Sequence, residues 1–292
     1  MKHAILGVGA IGGLIGAALG SLCEDIAVIV RPETLPEFPA KLKLERPTGS
    51  LMTPAKAVAA LIDPVDVLWI ATKTYQMETA LAAAQVSPGY IVPLLNGVDH
   101  IAVLRARFRT DRVIPATIAV EAEKLAPGRF IQRSPFVRLN LASSGEPVLG
   151  TIIQKLGDLG FTCQFMQNEQ TLLWSKLCFL APFALVSSAS GMNIGEVLAN
   201  AVWKEKLNSA IAEACAVGRA SGAEIDAQQF EAIFEGVPPS MRSSMQKDLF
   251  AGRQLELDAI GGPIVRGGER YGVNVSTTMN LIAVILSKAA AA

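Results

Sequence analysis

The stretch Ala4-Ile5-Leu6-Gly7-Val8-Gly9-Ala10-Ile11-Gly12-Gly13-Leu14-Ile15-Gly16-Ala17-Ala18-Leu19-Gly20-Ser21-Leu22 holds 19 residues without a charge. Its reading decides the fold. By length it could cross a bilayer, and Gly12, Gly16 and Gly20 repeat the small-residue spacing of membrane helix pairs. Six of the 19 are glycine, however, and each costs a continuous helix about 1 kcal/mol relative to alanine. Leu22 before Cys23 also lacks the small side chain of a signal cleavage site. The pattern instead predicts a buried strand over Ala4–Leu6, a glycine turn from Gly7 to Gly12, a small-residue helix to about Leu22, and a second strand over Ile26–Val30. A second apolar stretch, Leu177–Val186, is only ten residues long and contains Pro182. No membrane span is therefore expected, and the chain reads as soluble and cytoplasmic.

Composition agrees. The 292 residues suit two domains of roughly 100 to 200 residues each. Lys plus Arg and Asp plus Glu both number 26, so there is no surplus positive charge for nucleic acid or an anionic membrane. Hydrophobic residues make up 51% and charged ones 18%, which excludes disorder and predicts a large core. Cys23, Cys163, Cys178 and Cys215 are scattered without metal spacing, as in a reducing compartment. With only His3 and His100 present, neither a zinc site nor a His-dependent triad is expected.

Outward from the opening stretch, strand-like runs recur at Val65–Thr72, Tyr90–Leu95 and Val113–Val120, with helical stretches at Gln76–Ala84 and Asp99–Arg107 between them. Such alternation predicts an α/β domain with a doubly wound parallel sheet of the Rossmann type. Arg129–Ala142 reads as a hairpin-like strand pair closing that sheet, followed by a helix over Val148–Leu159 and a strand over Thr162–Met166. Beyond Asn168 the periodicity is helical throughout: Glu169–Ser187, Ala199–Ser221, Ala227–Phe234, Ser240–Ala251, Leu255–Tyr271 and Ser276–Ala291. We expect a nucleotide-binding domain over 1–168 and an all-helical domain over 169–292.

Gly7, Val8, Gly9, Ala10, Ile11 and Gly12 form Gly-x-Gly-x-x-Gly between a strand and a helix. There the missing side chains let a pyrophosphate approach the backbone and face a helix N-terminus. A site for NAD usually ends the second strand with an acidic residue; this chain has Arg31, whose planar fork matches a 2′-phosphate, so NADPH is the expected cofactor. Two further predicted strands end in Lys73 and in Asn96-Gly97, at the carboxyl edge where open parallel sheets bind ligands. A solvent lysine and a left-handed turn would explain the same residues.

In the helical half, Lys176 has Leu172, Leu173, Phe179 and Leu180 at helical spacing around it. It must either snorkel out along its stem or sit in a pocket, where desolvation would lower its pKa and suit it to donate a proton near neutral pH. Ser244 and Asp248 stand one turn apart, and Glu256 opens the next helix, where the dipole alone would favour it.

In order and spacing, Gly7-x-Gly9-x-x-Gly12, Arg31, Thr72-Lys73, Asn96-Gly97, Trp174-x-Lys176-Leu177, Ser243-Ser244-Met245-x-x-Asp248 and Glu256-Leu257-Asp258-x-Ile260-x-Gly262 resemble the ketopantoate reductase family over essentially the whole chain. The resemblance implies a Rossmann domain and a helical domain with substrate in the cleft between them. It implies NADPH-dependent reduction of a small keto acid, 2-dehydropantoate, to pantoate for pantothenate synthesis, by a monomer or homodimer. It makes Lys176 the general acid. It places Asn96 against substrate and nicotinamide, Ser244 on the substrate carboxylate, Glu256 on its hydroxyl, and Lys73 near the cofactor. The family commonly carries asparagines where this chain has Leu180 and Ala184, and glycine where it has Asp99. Those departures point to a second reading, a reductase of the same fold acting on a less polar ketone or keto acid. A non-catalytic NADPH sensor would need the glycines and Arg31 but not Lys176, Asn96 and Glu256 together.

Overall fold

A computed structural model describes residues 1–291. The chain divides into two compact units, one of residues 1–95 and 100–167, the other of residues 96–99 and 168–291 among those described. Asn168 falls in the second unit because it caps that unit's first helix, and the short segment 96–99 belongs there too.

The first unit opens with β1 (Lys2–Leu6), α1 (Ala10–Ser21) and β2 (Asp25–Ile29), as the opening stretch dictates. Next come β3 (Lys41–Arg46), β4 (Gly49–Pro54), β5 (Lys56–Val58), β6 (Val67–Ile70), α2 (Met77–Leu81), β7 (Tyr90–Pro93) and α3 (His100–Phe108). The unit ends with β8 (Ala116–Ala119), β9 (Ala122–Ala126), β10 (Arg129–Gln132), β11 (Val137–Ala142), α4 (Glu146–Asp158) and β12 (Phe161–Met166). The main sheet is parallel, in the order β5-β2-β1-β6-β7. Its central strands are covered on both faces, which is why all of β6 and most of β1 are buried apolar residues. Strand order reverses between β1 and β6, and the glycine turn after β1 and Thr72-Lys73 after β6 share that carboxyl edge.

Two features depart from the sequence reading. Arg129–Ala142 is not a hairpin: β10 pairs antiparallel with β9 and parallel with β3, whereas β11 pairs with β8 and β12 in a separate three-stranded sheet. Secondly, Lys41–Pro54 forms an unforeseen hairpin, β3 with β4, that joins β10 and β9 in a four-stranded sheet. Leu42 and Leu44 face inward there between outward Lys41, Lys43 and Glu45. This sheet packs on α1, and the glycine stripe takes its purpose from it: a side chain at Gly16 or Gly20 would strike Leu42 or Thr53.

Between neighbouring strands β1 and β6 of the main sheet, Trp69 Nε1 donates to His3 Nδ1 at 3.2 Å, and both residues are buried. Nδ1 can accept only while the imidazole is neutral. Burial, partly opposed by the Glu24 carboxylate, lowers the His3 pKa from 6.5 to about 4. The unfolded chain therefore binds the extra proton first, and the contribution of neutral His3, present above pH 6.5, is lost as pH falls through 4. The difference corresponds to about 3 kcal/mol. Urea unfolding of wild type and His3→Gln between pH 7 and 4 should give profiles that converge by about this amount on acidification; parallel profiles would remove His3 from the acid response.

The second unit comprises α5 (Glu169–Ser190), α6 (Ile194–Ala199), α7 (Ala201–Ala220), α8 (Ala227–Glu235), α9 (Ser244–Phe250), α10 (Leu257–Ile260), α11 (Gly262–Tyr271) and α12 (Ser276–Ala291). Asn168 Oδ1 accepts from Thr171 N at 3.0 Å to start α5, and Gly191, at φ 81°, ends it. This helix is long and apolar enough by composition to cross a membrane, but it is the core helix of the unit, packed by α7, α9, α10 and α12. Two predicted helices are shorter than the periodicity suggested. Ser240–Ala251 begins only at Ser244, because Ser243 Oγ accepts from Gln246 N at 3.1 Å and caps it. Leu255–Tyr271 breaks at Gly261: Pro263, in the first turn of α11, has no N–H to donate to the Ala259 carbonyl, which would be its helical partner.

Candidate active site

The glycine turn is built for close approach. Gly7 has φ +92°, and a Cβ on it would lie 2.7 Å from the backbone nitrogen of Thr72. A Cβ on Gly12 would overlap the Gly7 carbonyl oxygen. Gly9 is different: it occupies the N-cap of α1, and a Cβ there would meet no atom within 4 Å. No side chain caps α1 and no acidic residue lies in its first turn, so its leading N–H groups keep their partial positive charge for a ligand. These residues fit the diphosphate of a dinucleotide. Thr72 Oγ1 is buried beside the turn without a hydrogen-bond partner. Arg31 is exposed two residues after β2, its carbonyl accepting from Thr34 N at 2.9 Å. Lys73 is partly buried and precedes a 3-10 turn at Thr74–Gln76.

A second group of predicted residues meets in the helical unit. Asn96 Nδ2 donates to Glu256 Oε2 at 3.2 Å. Gly97, with φ +84°, lets the loop sit against α10, where a Cβ would overlap the Ala259 carbonyl. That carbonyl is the one Pro263 leaves without its helical donor. Glu256 is only 5% exposed, at the residue preceding α10. Lys176 projects from the middle of α5, partly exposed as a residue. Burial at its ammonium nevertheless lowers its pKa from 10.5 to about 8, against the Glu256 carboxylate, which raises it. Burial thus acts on the ammonium in the direction that the pocketed arrangement requires.

Ser244 is exposed in the first turn of α9, while its neighbour Ser243 is buried and bonds Ser187 Oγ at 2.8 Å. Asp248 does not pair with Ser244; it accepts from Arg253 Nε at 2.7 Å. Both α9 and α10 pack on α5, so Ser244, Glu256 and Lys176 stand on neighbouring elements. Leu180, one turn beyond Lys176, is partly exposed, but Ala184 is fully buried in the unit's core. Asp99, an unexpected negative charge in the Asn96 loop, is paired with Arg266, a residue the sequence reading passed over. Among the described residues no group of three or more His, Cys, Asp or Glu could hold a metal ion.

Residues 3–144 match the ketopantoate reductase PanE/ApbA family and residues 168–289 match its C-terminal domain, ketopantoate reductase PanE/ApbA C terminal. A 2-dehydropantoate 2-reductase from Caulobacter vibrioides is 32% identical over 301 residues, covering 99% of this chain and 98% of that protein. The chain belongs to the ketopantoate reductase family. Like the family, it is an oxidoreductase with an NAD(P)-binding Rossmann domain and a helical C-terminal domain. The fold of a PanE/ApbA family ketopantoate reductase from Ralstonia eutropha superposes with TM-score 0.87 at 23% identity, over 100% of this chain and 99% of that one. D-mandelate dehydrogenase with NADH and anilino(oxo)acetate superposes with TM-score 0.88 at 21% identity, over 100% and 99%. The ketopantoate reductase fold thus extends over the whole length of the chain.

Proposed function

We propose that this protein reduces a 2-keto acid with NADPH, and that the substrate is 2-dehydropantoate, giving pantoate for pantothenate synthesis. The observation that carries the reading is Lys176, an ammonium poised near pH 8, in electrostatic reach of a carboxylate that Asn96 holds. Bound on the glycine turn, the cofactor supplies a hydride. Reduction of the keto carbon would leave negative charge on its oxygen; Lys176 Nζ would stabilise this charge and give up a proton to it, leaving a hydroxyl. Glu256 accepts a hydrogen bond from the substrate's hydroxyl while Asn96 fixes the orientation of its carboxylate. Ser244 Oγ donates to the substrate carboxylate, and Lys73 lies by the cofactor. Arg31 pairs with the 2′-phosphate.

The second reading, a less polar substrate, is favoured by Leu180, which presents an apolar side chain one turn from Lys176. Ala184 gives it no support, being core. One steady-state experiment separates the readings. Reduction of 2-dehydropantoate should exceed that of its analogue lacking the 4-hydroxyl by at least ~100-fold in kcat/KM, since a site built to bond a hydroxyl discriminates strongly against its absence. In the same assay Arg31→Ala should lower kcat/KM for NADPH about 10- to 100-fold and leave NADH nearly unchanged. Equal use of the two keto acids would hand the assignment to the less polar class, and equal loss with both cofactors would remove Arg31 from phosphate recognition.

A further inference from the structure

We infer that Arg266 is a positioning residue of the reaction: by bridging Asp99 to Asp258 it fixes the 96–99 loop on α10 so that Asn96 meets Glu256. The inference rests on the roles proposed above for Asn96 and Glu256. Arg266 Nη2 and Nε donate to Asp99 Oδ2 at 2.6 and 3.2 Å, and Nη1 donates to Asp258 Oδ1 at 2.7 Å. One guanidinium thus joins α11, which carries it, to α10 and to the loop. Asp99 lies three residues after Asn96 and Asp258 two after Glu256, so the bridge stands beside the Asn96–Glu256 hydrogen bond.

Stabilising the fold is not an adequate account of this bridge. The side chains of Arg266, Asp99 and Asp258 are 50%, 54% and 86% exposed, and ion pairs so placed contribute little to stability. Local geometry is where it acts. Without the cation, two carboxylates that share one guanidinium repel each other; solvent keeps that repulsion small, but it acts on the loop directly and shifts it on α10 without unfolding it. Displacement of a catalytic side chain by about 1 Å is enough to lower turnover by up to ~100-fold. A lysine at 266 would offer a point charge in place of the planar fork that reaches both carboxylates from separate nitrogens.

The repulsion gives the test its sign. In Arg266→Gln, kcat should fall about tenfold with KM for NADPH and the melting temperature nearly unchanged. Adding Asp99→Asn to that variant removes one of the opposed charges and should restore kcat to within about threefold of wild type. A purely structural role would make the double variant no better than the single. The geometry itself is read in the ligand-free protein by 15N NMR of the Asn96 side-chain amide, assigned with Asn96→Gln. Its resonance should be shifted and protected in wild type, move toward that of a free amide in Arg266→Gln, and return in the double variant. An Asn96 amide that ignores Arg266→Gln, or a double variant without recovery, overturns the inference. Because the NMR needs no substrate, a wild-type protein inactive on 2-keto acids would refute the proposed function while leaving the bridge to be decided by the amide.

Discussion

Lys176→Met is expected to remove turnover and at the same time make the protein more stable. Both effects come from one cause. Burial lowers the pKa of the ammonium to about 8, so at neutral pH the folded protein carries a charge it would be more stable without. The unfolded chain holds that proton up to the ordinary value of 10.5, so the penalty is complete below pH 8 and is relieved as pH rises toward 10.5. Glu256 already offsets part of it. Replacing the lysine with an apolar side chain of similar length should stabilise the fold by about 2 kcal/mol at pH 7, after allowing for the part of the side chain that stays in solvent. Loss of the proposed proton donor should lower kcat by ~100- to 10,000-fold. Wild-type kcat should fall as pH rises through about 8, as the ammonium is lost, and the residual rate of the variant should lack that limb. A variant that keeps more than a tenth of its turnover, or that melts below wild type, would be incompatible with this role.

The second large effect separates two glycines only three residues apart. Gly9→Ala should fold and melt like wild type, because its φ of −84° suits any residue and its Cβ would meet nothing within 4 Å. NADPH affinity should nevertheless drop at least ~10-fold, equivalent to about 1.4 kcal/mol, if that open space is where the diphosphate lies. Gly12→Ala should do the reverse. Its Cβ would overlap the backbone oxygen of Gly7, which no rotamer change can move aside, and about 2–3 kcal/mol of stability should be lost. Thermal melting and cofactor titration of the two variants check both statements; equal cofactor affinity in wild type and Gly9→Ala would take the diphosphate away from the α1 N-terminus.

What was legible in the sequence follows the range over which each signal acts. The β1-α1-β2 unit was readable because strand, glycine turn and helix are consecutive and each is set by local chemistry. Lys176 stood out for the same reason, as one cation on an apolar helical stripe. The β3-β4 hairpin was missed although Leu42 and Leu44 alternate with charged residues and only Pro47-Thr48 separates its strands. The strands β10 and β11 were paired with each other because they are consecutive, whereas β10 joins β9 and the distant β3 and β11 joins β8 and β12, pairings that leave no local trace. Periodicity also overran the helix starts: it cannot see that Ser243 caps α9 or that Pro263 divides α10 from α11. Arg266 lay wholly outside its reach, since the carboxylate of Asp99 is 167 residues away in the chain.

The assignment of residues 96–99 to the helical unit has a practical consequence for dissecting this protein. The backbone passes from the first unit to the second at 95/96, returns at 99/100, and leaves again at 167/168. Severing it once, after residue 167, would yield two fragments that are each incomplete: an amino-terminal piece whose Asn96 has no Glu256 to meet, and a carboxyl-terminal piece in which Arg266 and Glu256 have lost Asp99 and Asn96. Reconstitution from separately expressed halves therefore demands threading of a four-residue finger, and activity recovered on mixing would report its re-seating rather than simple association of two finished bodies.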